Sequence, residues 1–371
     1  MSTVNIPYIN FEQAHVQDAV ERLYEFQKET PRELRFKDYT LENGQIWTSW
    51  NVREQVYKKK MDTFPTMARG FFTKHTDGGF KVMARGYDKF FNILETKITQ
   101  WPFIESDTEG PYEVTAKENG CIIFIAALSE EKVVITSKHS IPAVKDDPKA
   151  HAGVGYNWVL KHLASVEKSE KDLAEWLYDK NVTLVAELCD DEFEEHILPY
   201  TEKDRGLYLH GVNYNTIQLY TLPSSTVQQL AQDFGFHKTD FKLFDTVGQV
   251  REFGEEMQQT GLFDGREVEG AVVRCKRKGA DFMFKLKNEQ YLIYREYREV
   301  TKALIENHQG IIRFVKPEKE LKITYEKTRH YIDWLRKRII DHPEWFQDYK
   351  MQKGIIEVRQ KFEKYWEAGI L

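Results

Sequence analysis

Apolar positions along the chain keep two periods, and the change between them marks its elements. From Asn10 to Glu29, Val16, Ala19, Val20, Leu23 and Phe26 recur at helical spacing, with Asn10 as the expected N-cap. Strand-like pieces follow in IWTSW, TMARGFF and FKVMAR. The middle of the chain then alternates apolar runs of strand length (CIIFIAAL, KVVITS, VTLVAEL, LYLHGV, IQLYTL, EGAVVRC, DFMFKL) with helical patterns near 151–166, 226–234 and 252–259. SEEK, between the first two of those runs, reads as a hairpin turn. Most strands are too close in sequence for a parallel crossover, so the pattern predicts an α+β fold of antiparallel sheets with flanking helices.

After about Asn288 the strand pattern ends. Tyr291, Tyr294, Val300 and Leu304 continue at helical spacing, Tyr331, Leu335 and Ile339 mark another helix, and Pro343 is expected to open a last one ending near Tyr365. The expected division is therefore residues 1–290 as one domain and 291–371 as an all-helical C-terminal domain.

Composition narrows the class. With 371 residues, 41% of them hydrophobic, the chain can bury two cores. It holds no apolar run of the roughly 18 residues needed to span a bilayer, so membrane insertion is not expected. The N-terminus MSTVNIPYINFEQ lacks the basic-then-apolar order of a secretory signal, which points to the cytoplasm or nucleus. Cys121, Cys189 and Cys275 show no paired spacing and read as small buried hydrophobes. The net charge of −6 hides a gradient: Arg274, Lys276, Arg277, Lys278, Lys285, Lys287, Arg295, Arg298 and Lys302 crowd one late stretch. Such a stripe binds phosphates even on an acidic chain.

Lys-x-x-Gly occurs three times, at Lys117, Lys203 and Lys276, but only Lys117 runs directly into a strand of core quality. Gly120 allows a tight turn between that lysine and the strand. As a nucleophile Lys117 must lose its proton, and partial burial, nearby cations or a metal would lower its pKa from about 10.4. Lys285 and Lys287, two apart on a strand, face the same side. By themselves they suit the solvent face of an edge strand equally well.

Lys117-Glu118-Asn119-Gly120, Glu187 in VAELCDD, Glu269-Gly270 in EVEGAVVR and Lys285-Leu286-Lys287 stand in the order of motifs of covalent nucleotidyltransferases. Arg69, Arg85, Lys89, Phe91 and Asn92 in MARGFF…VMARGYDKFFNI resemble the phage-type RNA ligase branch. GPYEVTAKENGCIIFI, SKHS, CDDEFEEHIL, GLYLHGVN and YREYREVTK resemble the sealing domain of fungal tRNA ligases, from about Met67 to Thr301.

That resemblance implies the nucleotidyltransferase fold, ATP and Mg²⁺ (with Mn²⁺ as substitute) as cofactors, and RNA as partner. It implies a lysyl–AMP on Lys117, transfer of AMP to an RNA 5′-phosphate, and sealing by an RNA 3′-hydroxyl. Lys285 and Lys287 would neutralise the α-phosphate, with Arg69 and Lys89 acting from the other side. Glu187 would hold the ribose and Glu269 would help place the metal, both as metal contacts directly or through water. Phe91 would stack on the nucleotide or support the wall. Glu118 and Gly120 would belong to the ATP-binding set with them, a solvent-facing side chain being the alternative for Glu118. Asn119, where most DNA ligases and capping enzymes have Asp, would bond the ribose or the metal's water shell.

Fungal tRNA ligases also require a 2′-phosphate at the 3′ end. Arg295, Arg298 and Lys302 on one helix face, with His151 at a helix start, are the expected clamp. Two other readings stand beside it: an amphipathic helix pairing Glu296 and Glu299, and a capping histidine. His139 in SKHS is a further polar candidate, while HKT at His237 occurs once and carries nothing. Tracts for end-healing (GxxxxGK[ST], paired HxT) are absent, so sealing of healed ends by a monomer is expected, on tRNA exon halves or on mRNA exons of the unfolded-protein response. The competing readings are a capping-type guanylyltransferase and a silent RNA-binding module.

Overall fold

The computed structural model describes residues 4–9, 13–61, 63–317 and 319–369, so the cap expected at Asn10 lies outside the described residues. Helix α1 (Gln13–Glu29) covers a four-stranded antiparallel sheet of β1 (Leu34–Thr40), β2 (Ile46–Val52), β3 (Phe71–Thr76) and β4 (Gly79–Arg85), in that order, with α2 (Glu54–Lys59) between β2 and β3. Val20 and Leu23 of α1 are buried against Trp50, Tyr57 and Phe71, as the helical spacing predicted.

The next elements are β5 (Phe91–Asn92), α3 (Trp101–Asp107), β6 (Glu109–Lys117), β7 (Cys121–Ala127), β8 (Val133–Thr136), α4 (His151–Ser165), α5 (Glu170–Lys180), β9 (Val182–Cys189) and β10 (Gly206–Tyr214). They continue with α6 (Ser224–Phe234), β11 (His237–Lys238), β12 (Phe241–Phe244), α7 (Val247–Thr260), the hairpin β13 (Leu262–Phe263) and β14 (Arg266–Glu267), then β15 (Gly270–Arg277) and β16 (Ala280–Lys287). Two five-stranded sheets result, ordered β11-β10-β9-β7-β8 and β12-β6-β15-β16-β5. Helices α4, α5 and α6 bury the first sheet and α7 the second. Trp47, Phe72, Phe124, Val185 and Met283 join the three sheets in a central core.

The α+β fold of antiparallel sheets is as expected, and three details differ. Both large sheets are antiparallel except at an edge, where the two-residue strands β11 and β5 pair in parallel. IQLYTL forms no ladder and touches the sheet only through a bridge from Asn213 to Thr221. The buried Arg85 guanidinium takes the carbonyls of Thr216 and Ile217, where the segment begins, at 2.7 and 2.9 Å, and Tyr220 and Leu222 bond β10 through their backbones at 2.9 and 3.0 Å. The C-terminal region is helical in α8 (Glu289–Leu304), α9 (Glu326–Asp341) and α10 (Ile355–Glu367), but the hairpin β17 (Ile305–His308) and β18 (Ile311–Phe314) interrupts it. Its turn puts Gln309 and Gly310 at positive φ, and a glutamine in the first place is not a residue that announces such a turn. Pro343 opens a short 3-10 turn, and the last α-helix begins only at Ile355.

The C-terminal helices do not pack apart from the rest. Tyr291, Tyr297, Tyr331, Trp334 and Phe362 share one core with Cys189, Ile197, Leu198 and Tyr200, at the end of β9 and in the segment after it. Asn288 caps α8 and donates from its side chain to the carbonyls of Gly261 and Val268. Among the described residues no helix is long and apolar enough to cross a membrane.

The segment that matters most is the link from β6 to β7, because β6 belongs to one five-stranded sheet and β7 to the other. Lys117 ends the first strand and Cys121 starts the second, so Glu118, Asn119 and Gly120 make the whole crossover. A Cβ on Gly120 would stand 2.1 Å from the backbone oxygen of Leu188. Gly120→Ala is therefore expected to lower the melting temperature by several degrees, or to leave the chain insoluble, as measured by thermal unfolding against wild type.

Candidate catalytic cavity

A cavity of about 540 Å³ opens between the two five-stranded sheets, with Lys117, Glu187, Arg274 and Lys285 among its lining. Strand register explains the convergence. Gly270 of β15 pairs with Lys117 on one side and Lys287 on the other, while Val272 pairs with Thr115 and Lys285. Side chains two apart on a strand share a face, so Lys117, Lys285 and Lys287 all stand on the cavity face of their sheet. Thr115, Val272 and Lys285 line the cavity, whereas Lys287 lies one step further, exposed at the strand end.

Lys117 Nζ lies 2.7 Å from Glu269 Oε1. Burial alone would push the Lys117 pKa down, but Glu269 and Glu187 outweigh it and hold the ammonium above its usual value. This reverses the sequence-based expectation: in the unliganded protein the acids around the lysine dominate its neighbouring cations. Deprotonation thus requires that the two carboxylates be neutralised. Glu187 is itself held below the usual carboxylate range. Burial opposes this, and His210 and Lys117 overcome it. Its Oε1 accepts the Gly120 amide at 3.2 Å, and His210 Nε2 sits 3.6 Å from Oε2. Both acids offer hard oxygen donors beside Lys117, so this pair fits a magnesium-class ion, which would supply the missing positive charge.

The rest of the tetrad is structural. Glu118 is buried and neither faces solvent nor is free for a nucleotide: Arg266 grips it bidentately at 2.9 and 2.6 Å, and Tyr200 donates to it at 2.6 Å. Asn119 has no free group for a ribose or a metal's water shell. Its amide nitrogen donates to Glu269 Oε2 at 3.1 Å and to the Tyr291 hydroxyl at 3.0 Å. Its oxygen accepts the backbone amides of Ile197 and Leu198 at 3.0 and 3.1 Å.

The opposite wall is cationic. Arg69 and Lys89 share the Glu54 carboxylate, each at 2.7 Å. Burial favours the neutral acid, yet the two cations prevail and keep Glu54 below its ordinary range. Lys138 joins them, its pKa pushed down by burial and by Arg69. Burial also takes His139 down to about 4, so it lines the cavity as a neutral imidazole. Phe91 is buried in the N-terminal core, and the neighbouring Phe90 faces the cavity beneath the Lys285 ammonium, 5.5 Å from its ring centre.

Sequence reasoning missed Glu54, Tyr87, Lys138 and His210 as parts of this site, and used Arg274 only as one charge in the basic stripe. Arg274 donates to the Tyr87 hydroxyl at 2.6 Å, and that hydroxyl lies 2.9 Å from His210 Nδ1. This chain of bonds ends on Glu187. Only the alternation of polar residues within otherwise apolar strands could have flagged it.

Of the four proposed phosphate residues, His151 lines the cavity and Arg295, Arg298 and Lys302 stand on α8. Arg295 is exposed on α8, and Arg298 pairs with Glu299 at 2.7 Å. Glu296 turns instead to the start of α9, accepting from Thr324, Tyr325 and Thr328. Lys302 donates to Gln352. His151 starts α4, lines the cavity rim, and bonds Glu194 Oε2 at 2.9 Å through Nε2.

Two outcomes follow. Asn119→Asp sets a second carboxylate against Glu269, so stability should fall by roughly 2–3 kcal/mol at pH 7. That deficit should shrink in urea denaturation at pH 5, because a protonated Asp can donate again. Burial, with Lys89 and Lys117 nearby, holds Lys285 down at about 8. Its charge is thus lost as pH rises through 8, and affinity for a polyphosphate probe should weaken by up to about tenfold per pH unit above that point. Calorimetry on Lys285→Arg, which stays charged, should show a flatter profile than wild type.

Residues 67–292 match the RNA ligase family of the T4 type. The chain is 40% identical over 361 residues to tRNA ligase 1 of Schizosaccharomyces pombe, covering 90% of this chain and 44% of that protein. It is 40% identical over 341 residues to the tRNA ligase of Candida albicans, covering 85% and 40% respectively. It thus spans less than half the length of these curated relatives. An archaeal ATP-dependent RNA ligase shares the fold at 14% identity and a TM-score of 0.50, over 95% of this chain and 82% of that one. With the family match extending from the cationic wall through Lys117 to the start of α8, the chain belongs to the T4-type RNA ligase family.

Proposed function

We propose that this chain seals RNA ends with ATP through a covalent lysyl–AMP on Lys117. The observation that carries this reading is the Lys117 ammonium at the junction of two sheets, between two acids and facing a wall of cations. A nucleoside triphosphate is the chemistry such a cavity suits: the cations take the phosphates and the amine meets the α-phosphorus. Lys117 Nζ forms the new P–N bond as the bond to pyrophosphate breaks. Glu269 Oε1, at 2.7 Å, is the nearest acceptor for the proton that the amine must lose. Arg69, Lys89, Lys138 and Lys285 offset charge on the departing pyrophosphate, since in-line phosphoryl transfer depends on positioning and charge stabilisation. Glu187 and Glu269 would hold Mg²⁺ or Mn²⁺, which offsets phosphate charge when bound.

AMP then passes to a 5′-phosphorylated RNA end, and an RNA 3′-hydroxyl displaces it to leave a phosphodiester. Arg295, Arg298, Lys302 and His151 form the clamp for a 2′-phosphate beside that hydroxyl, with residues 291–371 as the end-binding unit. The fungal tRNA ligase relatives support tRNA exon halves as substrates, in splicing. A capping-type guanylyltransferase is disfavoured by Asn119, whose amide is fully engaged where that class carries an acid.

Incubation with α-labelled ATP and magnesium should leave label that stays on the denatured protein, survives alkali and is lost in warm acid as a P–N bond is, absent in Lys117→Ala and absent with GTP. Label from GTP alone would overturn the reading. Arg298→Ala should reduce sealing of ends carrying a 2′-phosphate by at least about tenfold relative to plain 3′-hydroxyl ends, measured in single-turnover ligation. An unchanged ratio would remove Arg298 from the clamp.

A further inference from the structure

At the rim of the cavity, where Cys121 and His151 line it, three side chains of unlike chemistry converge. The Cys121 thiol, a His151 imidazole nitrogen and a Glu194 carboxylate oxygen all lie within 4.8 Å of one another. They come from three separate segments: the first residue of β7, the first of α4, and the loop after β9. We propose that Cys121, His151 and Glu194 form a binding site for a zinc-class divalent ion, distinct from the magnesium-class pair at Glu187 and Glu269.

The donor set argues for that metal. A thiolate, an imidazole and a carboxylate are three of the four ligands a tetrahedral zinc site takes, and magnesium takes oxygen alone. Three protein ligands leave one position for water or an incoming anion. The supporting shell is present as well. Glu194 is oriented by Gln352 Nε2, which donates to its Oε1 at 3.1 Å. The His151 ring stands edge-on to Phe193, with centroids 5.3 Å apart, which limits its rotation. Cys121 is fixed by the Gly120 crossover, and His196 Nε2 stands 3.5 Å from its sulfur as a further donor. His151 and Glu194 already bond each other at 2.9 Å, so an ion needs only a small parting of the pair.

Binding replaces the S–H bond of Cys121 with a sulfur–metal bond and releases its proton to solvent, so affinity should rise with pH. An ion held here takes His151 away from the 2′-phosphate clamp. Zinc should therefore inhibit sealing of 2′-phosphate ends more than it inhibits protein labelling by ATP.

The direct test needs no RNA and no ATP. Chelator-treated full chain is titrated with cobalt(II), whose thiolate complexes absorb in the near ultraviolet by charge transfer. A saturable band at one ion per chain is expected, displaced by zinc and not by excess magnesium. Cys121→Ser should abolish the band, and Glu194→Gln should weaken cobalt binding by at least about tenfold. No band in the wild type overturns the site, as does a band that survives Cys121→Ser and therefore arises from Cys189 or Cys275. If Cys121→Ser fails to fold, an unchanged affinity in Glu194→Gln overturns it equally. Failure of the ligase reading alone would leave the cobalt band intact.

Discussion

The side-chain amide of Asn119 holds the catalytic geometry together. One group bonds Glu269 on the approach to β15, Tyr291 on α8, and two backbone amides in the segment after β9. Three of these bonds are buried and the one to Glu269 is partly so, a setting where an unmet donor or acceptor would be costly. Asparagine is also the residue that meets this demand, since it offers two donors and an acceptor with no charge. Its neighbour Glu118 is clamped on the opposite side by Arg266 and Tyr200. The three-residue crossover is thereby fixed from both sides, and Lys117 inherits its position from it.

Charge in the cavity is arranged in opposition. Acids surround the lysine, and cations line the facing wall. In the resting protein the acids keep Lys117 protonated, while crowding takes Lys285 toward neutrality. A polyanion with its cation would invert both tendencies, neutralising the acids and recharging Lys285. Lys117 therefore keeps its charge until a ligand brings charges of its own.

Much of this was legible in the chain. Period-2 and helical patterns located most strands and helices. Lys117 stood out because one of three similar tetrads runs into a buried strand, and motif order set Glu187, Glu269, Lys285 and Lys287 beside it. The misses share a cause: IQLYTL is apolar enough for a strand, but a distant arginine holds the backbone where it begins. Phe91 and Phe90 are adjacent and chemically alike, and only the packing of the N-terminal sheet decides which ring is buried. Glu118 reads as a loop acid until Arg266, almost 150 residues later, is found against it.

What the sequence determined by itself is the set of local preferences: where the periods change, where glycine is required, which lysine meets a core strand. Those depend on neighbours a few residues apart. Tertiary structure alone decided the protonation of Lys117, the engagement of Asn119, the Arg274–Tyr87–His210 chain behind Glu187, and the meeting of Cys121 with His151 and Glu194. Each of these depends on electrostatic or hydrogen-bonding partners brought together from distant segments. Such energies are set by separation and burial in space, which no local spacing encodes.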